Sequence, residues 1–320
     1  LLIVFMFEYL VKIKKYLIYF FLFLFFNCIF NSSLNANPQF RARLAIPEPD
    51  IRGIEFNNDG SKMFTAGTGD DDDIDEYSLT TPYDITTAGT PDDSLTVGSF
   101  VQGIRFNDDG TKMFLMPNSD GNIREIHLGT AFDISSQTNL ADPPVLGFGV
   151  GGLTNSSQNA ISIEFNSDGT KLFVLDPAAD EIDEYTLSTG FDIESTVSYV
   201  QSLSIGSEET NPTSIAFDPT GTTLFVVGIQ NDRVHEYVLT TGFDLSTATV
   251  VNDSNGDAIF FHTDQSSSKG GPHPKTIIFN DDGTKMYIGE TGQDEINEYT
   301  LPGAYNLKLP TVTFSPADNA

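Results

Sequence analysis

The chain lacks tryptophan, and its only cysteine is Cys28. Because Cys28 lies in a stretch with the pattern of an export leader, we expect the mature protein to have no disulfide and no thiol chemistry. Helical periodicity is nearly absent after residue 36, which argues against a helical fold. The sequence also lacks a phosphate loop, a nucleophile elbow and a Ser-His-Asp order, so none of those catalytic motifs predicts an activity.

Basic residues are scarce. The chain has 16 Lys and Arg against 45 Asp and Glu, a formal net charge of −29. Such a charge repels nucleic acid and anionic membrane surfaces, so neither is expected as a partner. Two interpretations of the acidic charge remain open, namely a solvated surface and specific Ca²⁺ sites. No other cofactor is expected.

The first 36 residues have the features of a signal peptide. Three lysines, Lys12, Lys14 and Lys15, precede an apolar run over residues 16 to 26, and a polar segment ends at Ala36. We expect cleavage after Ala36, with an uncleaved membrane anchor as the alternative and the only predicted contact with a membrane. The protein is therefore predicted to be exported to the periplasm, the cell surface or the extracellular space.

One unit occurs five times, and its first Phe falls at positions 56, 106, 165, 217 and 279. Each copy has an alternating apolar segment, a turn of the Asn-Asp-Gly type, a second β-rich segment and a third segment resembling Ile-Asp-Glu-Tyr. Glycine favours such turns because it reaches positive φ at little cost. A Tyr- or Phe-Asp-Ile turn and a less regular apolar stretch follow, so the unit predicts four short antiparallel strands.

Four antiparallel strands in about 40 to 50 residues are typical of a propeller blade. The last copy has no fourth strand after it, but residues 39 to 46 form an unassigned strand-like segment before the first copy. Pairing the two ends closes the ring and removes an exposed edge. The prediction is an all-β fold over residues 37 to 309: a five-bladed β-propeller of four-stranded antiparallel blades, monomeric within a longer chain.

The unit has a strand, an Asp-Gly turn and a second strand of the Lys-Met-Phe type. In this order of elements, residues 39 to 309 resemble the lactonase-like and WD-repeat-like β-propellers. The Trp-Asp dipeptide of typical WD repeats is missing. The resemblance implies the fold and brings over no catalytic residue, because propellers host many unrelated functions.

The last residues, 310 to 320, resemble the opening strand and turn of a bacterial Ig-like domain, with Val312-Thr313 followed by Ser315-Pro316. The resemblance implies a truncated Ig-like domain, so that the native protein would continue into β-sandwich modules. A disordered polar tail is the alternative.

Ligands of propellers usually bind at a mouth of the central channel, where loops differ between blades. Polar residues that differ from copy to copy stand at or just before the start of the first strands. These candidate binding residues are Arg52, Gln102, Asn159, Asn211, His273 and Lys275. Their mixture of amides and cations suits a polar or anionic small molecule or a glycan, and a water-filled channel lining is the alternative.

Glycosidase chemistry needs two carboxylates on opposite faces of a sugar. Among the strand-start positions only Asp50 is acidic. Glu55 and Glu164 are expected deeper in the channel as a candidate acid pair, where the other copies have Arg105, Ala216 and Ile278. No catalytic residue is assigned.

A glutamate recurs at one position of every third strand, and a lysine recurs near the start of the second strand in every copy except the fourth, which has Thr223. We expect exposed cross-strand ion pairs worth roughly 0 to 1 kcal/mol each.

The densest acidic run, Asp70-Asp71-Asp72-Asp73, is the candidate metal site. Its oxygen ligands suit Ca²⁺, although its spacing is not that of an EF-hand. A solvated acidic loop is the alternative.

These features favour a non-enzymatic, exported interaction module that binds a protein or glycan, as part of a larger surface or secreted protein. The alternative is a secreted glycosidase or lactonase-like hydrolase with its site in the central channel. A third hypothesis is a structural spacer in an adhesin.

Overall fold

A computed structural model describes residues 37–46, 50–67, 73–98, 100–117, 122–147, 153, 161–230, 232–252, 256–263, 273–291 and 294–307. The span Asn37–Lys308 forms one compact unit. The predicted leader and the predicted Ig-like segment lie outside the described residues.

The strands form five antiparallel sheets, one for each copy of the repeat. One strand, β1 (Gln39–Ala45), precedes the first copy. The first sheet contains β2 (Ile51–Phe56), β3 (Lys62–Gly67), β4 (Asp73–Ser78) and β5 (Asp93–Thr96). The second contains β6 (Val101–Phe106), β7 (Lys112–Pro117), β8 (Ile123–His127) and β9 (Val145–Leu146). The third contains β10 (Ser162–Phe165), β11 (Lys171–Asp176), β12 (Glu181–Leu187) and β13 (Val197–Ser204).

The fourth sheet contains β14 (Pro212–Phe217), β15 (Thr223–Gly228), β16 (Arg233–Leu239), β17 (Ala248–Val250) and β18 (Phe260–His262). Its outer position is shared, because β17 and β18 both pair with β16. The sequence predicted only the segment at 258 to 262. The short β17 was missed because it follows directly on the turn that ends the third strand.

The fifth sheet contains β19 (Pro274–Phe279), β20 (Lys285–Glu290) and β21 (Glu295–Thr300), and β1 completes it. The N-terminal strand pairs antiparallel with β21, with Leu44 opposite Ile296. The predicted ring closure is therefore confirmed, and the protein is a five-bladed β-propeller. The first strands of successive blades contact one another around the axis.

The turn between the first two strands of each blade explains its invariant glycine. Gly60 has a φ of +68°, and a Cβ there would lie 2.3 Å from the ring of Tyr83. Tyr83 itself has a φ of 56°, which places its ring over the turn. Both conditions favour glycine, since it reaches positive φ freely and has no side chain to collide with the ring. The same pairing recurs in the other blades between Gly110 and Phe132, Gly169 and Phe191, Gly221 and Phe243, and Gly283 and Tyr305.

Aromatic side chains join neighbouring blades. The ring of Phe106, at the end of β6, lies 4.7 Å from Phe64 of the preceding blade and 5.2 Å from Phe132 of its own blade. Phe165 makes the equivalent contacts with Phe114 and Phe191, at 4.7 and 5.2 Å. Aromatic pairs at these centroid distances add to the free energy gained by burial alone. The repeated Phe is therefore an inter-blade packing residue.

The recurring lysines and glutamates also link blades. Lys62 Nζ lies 2.5 Å from Glu76 Oε1 and donates to the carbonyl oxygen of Phe132, in the next blade, at 2.7 Å. The other carboxylate oxygen of Glu76 accepts the N–H of Ile134 at 3.1 Å. The lysine contacts recur at Lys112, Lys171 and Lys285.

The predicted ion pairs are thus confirmed, but the expectation that they are exposed is wrong. The glutamates are buried because the next blade covers them. Their removal would leave polar groups of two blades without partners, so these pairs matter more than ordinary surface ion pairs.

Candidate functional site

The six-residue strand β2 carries candidate residues at both ends of the channel. Arg52 stands near its start and Glu55 near its end. Because a strand rises about 3.3 Å per residue, these two side chains are well separated along the channel. We call the end where the first strands begin the strand-start mouth. The opposite end, where the strands run into the Asn-Asp-Gly turns, forms the strand-end cavity.

Arg52 is held at the strand-start mouth by two partners. Its Nη2 and Nε donate to Asp50 Oδ2 at 2.6 and 3.1 Å, and its Nη1 donates to Gln102 Oε1 of the next blade at 2.7 Å. Asp50 has a φ of 60°, and its backbone N–H donates to Asp294 Oδ1 of the fifth blade at 3.0 Å. These contacts fix the guanidinium in place before any ligand arrives.

Lys275 lies near the same mouth and is partly buried. Burial lowers the pKa of its amine, the nearby Arg52 lowers it further, and Asp50 opposes both effects. Arg52 and Lys275 therefore lie at the same mouth, where Asp50 binds Arg52 and Asp294 accepts the N–H of Asp50. In a protein of net charge −29, two cationic side chains at one mouth are a local feature that favours an anionic ligand.

The remaining candidates are less closely assembled. Asn211 is exposed, and its backbone carbonyl accepts the N–H of Ile229 at 3.0 Å. His273 is exposed next to β19, and its carbonyl accepts the N–H of Thr291 at 3.3 Å. Asn159 lies outside the described residues. The contacts of the described residues thus bring Arg52, Gln102 and Lys275 together, with Asp50 as their acidic partner.

The strand-end cavity has a volume of about 510 Å³. Its floor is formed by the penultimate residue of each first strand, and these residues are Glu55, Arg105, Glu164, Ala216 and Ile278. Its wall is a ring of the five repeated phenylalanines, Phe56, Phe106, Phe165, Phe217 and Phe279. Polar residues of the turns form its rim, among them Asn58, Asp108, Ser167 and Asp281.

Arg105 crosses the floor of this cavity. Its Nη2 and Nε donate to Glu164 Oε1 at 2.7 and 3.0 Å, and its Nη1 lies 3.4 Å from Glu55 Oε2. A further bond, at 3.3 Å, goes to the carbonyl oxygen of Ile215. The guanidinium therefore connects the first four blades near the axis.

The two floor carboxylates are protonated more easily than ordinary ones. Burial raises the pKa of Glu55 to about 7, a net value in which Arg105 opposes the effect of burial and Glu164 adds to it. Burial also raises the pKa of Glu164, while Arg105 lowers it. Glu55 and Glu164 thus belong to one site, as the sequence suggested, but Arg105 contacts both carboxylates.

The predicted metal run is only partly described. Asp70, Asp71 and Asp72 lie outside the described residues, and Asp73 begins β4 in a partly buried position. Calcium binding by this run stays a prediction.

A different group of carboxylates, Glu76, Asp93 and Asp133, converges between the first two blades, with ligand atoms within 4.8 Å of one another. This group could not be found from local spacing, because its members come from two blades.

The fold is a five-bladed propeller whose channel has Arg52 and Lys275 at one mouth and an aromatic cavity at the other end. No protein-family model matches the chain, and the search of curated proteins found no match. In the described part of the chain, no helix has the length and apolarity needed to cross a bilayer.

Solved structures of similar fold include the β-propeller domain of Cps50 (Swd1) from Myceliophteria thermophila, with 8% identity, a TM-score of 0.47, and coverage of 78% of this chain and 83% of that one. A putative 6-phosphogluconolactonase from Bacteroides uniformis has 14% identity, a TM-score of 0.46, and coverage of 82% and 70%. A functionally unknown protein from Desulfotomaculum acetoxidans has 15% identity, a TM-score of 0.43, and coverage of 79% and 69%.

Proposed function

We propose that this protein is an exported, non-enzymatic binding module that takes a polar anionic ligand, such as an acidic glycan, at the strand-start mouth. The observation that carries the proposal is the presence of two cationic side chains, Arg52 and Lys275, at this mouth. Both cations are partly buried, and Asp50 forms an ion pair with Arg52, whereas no ion pair to Lys275 is found among the described residues.

An acidic sugar matches the chemistry of this mouth. Its carboxylate would bind Arg52 and Lys275 through charge-assisted hydrogen bonds, which are stronger than neutral ones. Its hydroxyl groups would contact the side-chain amide of Gln102. Because the protein carries a net charge of −29, its overall field would oppose binding of such a ligand away from cationic side chains.

Export is part of the proposal and rests on the leader-like pattern of residues 12 to 36 and on the acidic composition. The module would belong to a longer surface or secreted protein, as the Ig-like pattern of residues 310 to 320 suggests. The spacer hypothesis differs from this proposal in one respect, because a pure spacer binds no ligand.

The test is a panel of acidic and neutral oligosaccharides screened by thermal unfolding and calorimetry. We expect galacturonate oligomers to raise the unfolding temperature and neutral galactose oligomers of the same length to leave it unchanged. Binding that weakens as salt is added would agree with an ionic contact. Equal responses to the acidic and the neutral series would contradict the proposal.

A second candidate, a secreted hydrolase, is favoured by one observation. Glu55, with a pKa raised to about 7, lies in an aromatic cavity beside a second carboxylate, and glycosidases use a general acid with a raised pKa. Against it, Arg105 bonds Glu164 and lies between the two carboxylates, where a sugar or an attacking water would have to stand. Release of sugar from aryl glycosides that disappears in both Glu55→Gln and Glu164→Gln would favour the hydrolase.

A further inference from the structure

We propose that the strand-end cavity binds a small organic cation, with the charged group beside Glu55 and the apolar body against the ring of five phenylalanines. This site lies at the opposite end of the channel from the strand-start mouth and takes a ligand of the opposite charge. It does not depend on the function proposed above.

The floor of the cavity has one more acid than base. Two carboxylates, Glu55 and Glu164, face one guanidinium, and the other two floor positions are Ala216 and Ile278. The guanidinium of Arg105 is bound closely to Glu164, at 2.7 Å, and lies farther from Glu55, at 3.4 Å. Glu55 also accepts the N–H of Phe56 at 3.2 Å, but it has the weaker contact with the guanidinium. A cation beside this partly buried carboxylate would stabilise its charged form.

The wall adds a second reason for a cation. An ammonium group near the face of a phenyl ring is attracted by the negative face of the ring, and the attraction grows when water is excluded. Phe106, Phe165 and Phe217 are each only partly buried, so their rings contribute to the cavity surface. An inorganic ion would gain nothing from these rings, whereas the alkyl part of an organic cation would bury apolar surface against them.

The rim is acidic as well. Asp108 and Asp281 both line the opening and are exposed. Loss of solvent around Asp108 raises its pKa, and the nearby carboxylates of Asp109 and Asp168 add to this effect. Negative groups thus stand at both the opening and the floor, with aromatic rings between them. A volume of about 510 Å³ suits a small organic molecule.

The probe for this site is n-butylammonium, with n-butanol and butyrate as neutral and anionic counterparts of the same size. We expect calorimetry at pH 8 to show binding of butylammonium, at least tenfold weaker binding of butanol, and no binding of butyrate. Butanol that binds as tightly as butylammonium would overturn the proposal, because the cavity would then be only an apolar pocket.

Glu55→Gln tests the anchor. Glutamine resembles the protonated acid and leaves the Arg105–Glu164 contact in place, so the fold should persist. We expect at least a tenfold loss of affinity for butylammonium. Glu194→Gln is the matched control, because it removes the same charge from an exposed turn outside the cavity, and its affinity should stay within twofold of wild type. Unchanged affinity in Glu55→Gln would refute the role of Glu55.

Two further measurements keep the test decisive if Glu55→Gln is poorly folded. Ala216→Met adds bulk to the floor without changing its charge, and it should block butylammonium. In the wild type, butylammonium should bind more tightly at pH 8 than at pH 5.5 and should release protons at pH 7, measured in two buffers of different ionisation enthalpy. An affinity that does not change between pH 5.5 and pH 8, or binding at pH 7 without release of protons, would contradict the proposal.

Discussion

The side chain of Gln201 donates a hydrogen bond to Glu184 Oε2 at 2.7 Å, and the same amide nitrogen donates to Asp244 Oδ1 of the next blade at 2.9 Å. Glu184 and Gln201 are register partners on β12 and β13. Between the third and fourth blades, an amide donor therefore holds two carboxylates together.

The equivalent position between the first and second blades has an acid instead. Asp93 is the register partner of Glu76, and both lie close to Asp133. We expect Asp93→Gln to raise the free energy of unfolding by about 1 kcal/mol, because it adds two hydrogen bonds to carboxylates and removes like-charge repulsion. Urea unfolding measures the change. Gln201→Asp is the reverse variant and should lower the free energy of unfolding. A loss of stability in Asp93→Gln would contradict this account.

The fourth blade lacks the lysine that links the other blades. Thr223 stands at that position, and burial raises the pKa of its cross-strand neighbour Glu236. The hydrogen bond of the glutamate to the next blade is kept, since Glu236 Oε2 accepts the N–H of Leu307 at 2.9 Å. We expect Thr223→Lys to stabilise the protein by about 1 kcal/mol, because the amine would reach both Glu236 and the carbonyl of Tyr305.

Thermal unfolding at pH 5 and pH 8 checks this prediction. Because the pKa of Glu236 is raised, the gain should be larger at pH 8 than at pH 5, since a greater fraction of Glu236 is ionised at the higher pH and needs a counter-charge. Lys171→Thr is the reverse control and should lose stability, since it removes an existing link between the third and fourth blades. A Thr223→Lys protein that is no more stable than wild type at either pH would show that the linking geometry is absent in the fourth blade.

Glu290 predicts a dependence of stability on pH. Burial raises its pKa to about 7, a net value to which its register partner Glu295 contributes and which Asn297 and Arg43 oppose. A carboxyl with a raised folded pKa binds more protons in the native state, so stability falls as pH rises from about 4.5 through about 7. We expect Glu290→Gln to be more stable than wild type at pH 8, by at most about 3 kcal/mol, and nearly equal to it at pH 5.

Chemical unfolding across pH 4.5 to 8 measures this difference. Glu55 titrates in the same window, so the slope of the Glu290→Gln curve should decrease without vanishing. Parallel curves for the two proteins would mean that Glu290 is ionised throughout the range.

Two glycines with nearly the same φ provide a test of the turn. Gly110 has a φ of +69°, and an added Cβ would lie 2.2 Å from the Phe132 ring, whereas Gly98 has a φ of +71° with no atom within 4 Å. Alanine at either position costs about 1 to 2 kcal/mol for the backbone conformation. We expect Gly110→Ala to cost about 1 to 3 kcal/mol more, because the ring must move. Equal losses measured by urea unfolding would show that the ring adapts freely.

Much of the fold could be predicted from the sequence, because each blade repeats the same local signals. The Asn-Asp-Gly turns and alternating segments located the first three strands of every blade, and the spare segment at 39 to 46 completed the ring. The divided outer edge of the fourth blade was missed, since β17 has only three residues and no pattern of its own.

The sites were harder to predict, because they depend on contacts between blades. Arg52 and Gln102 are 50 residues apart, and their hydrogen bond follows only from the angle between adjacent blades. The strand-end cavity was not predicted, although the repeated Phe marks its wall. Each Phe was correctly assigned to the repeat, but the sequence did not show that five of them surround one space, with Arg105 across its floor.

The measurement that tests the central claim most directly is the dissociation constant of trigalacturonate for the wild type and three variants, determined by calorimetry at low salt. We expect Arg52→Gln and Lys275→Gln each to weaken binding at least tenfold, about 1.4 kcal/mol, since each removes a charge-assisted contact. Arg41→Gln removes the same charge from an exposed position on β1, and its dissociation constant should stay within twofold of the wild-type value. Equal affinities for all four proteins, or no binding by the wild type, would contradict an anion-binding role for the strand-start mouth.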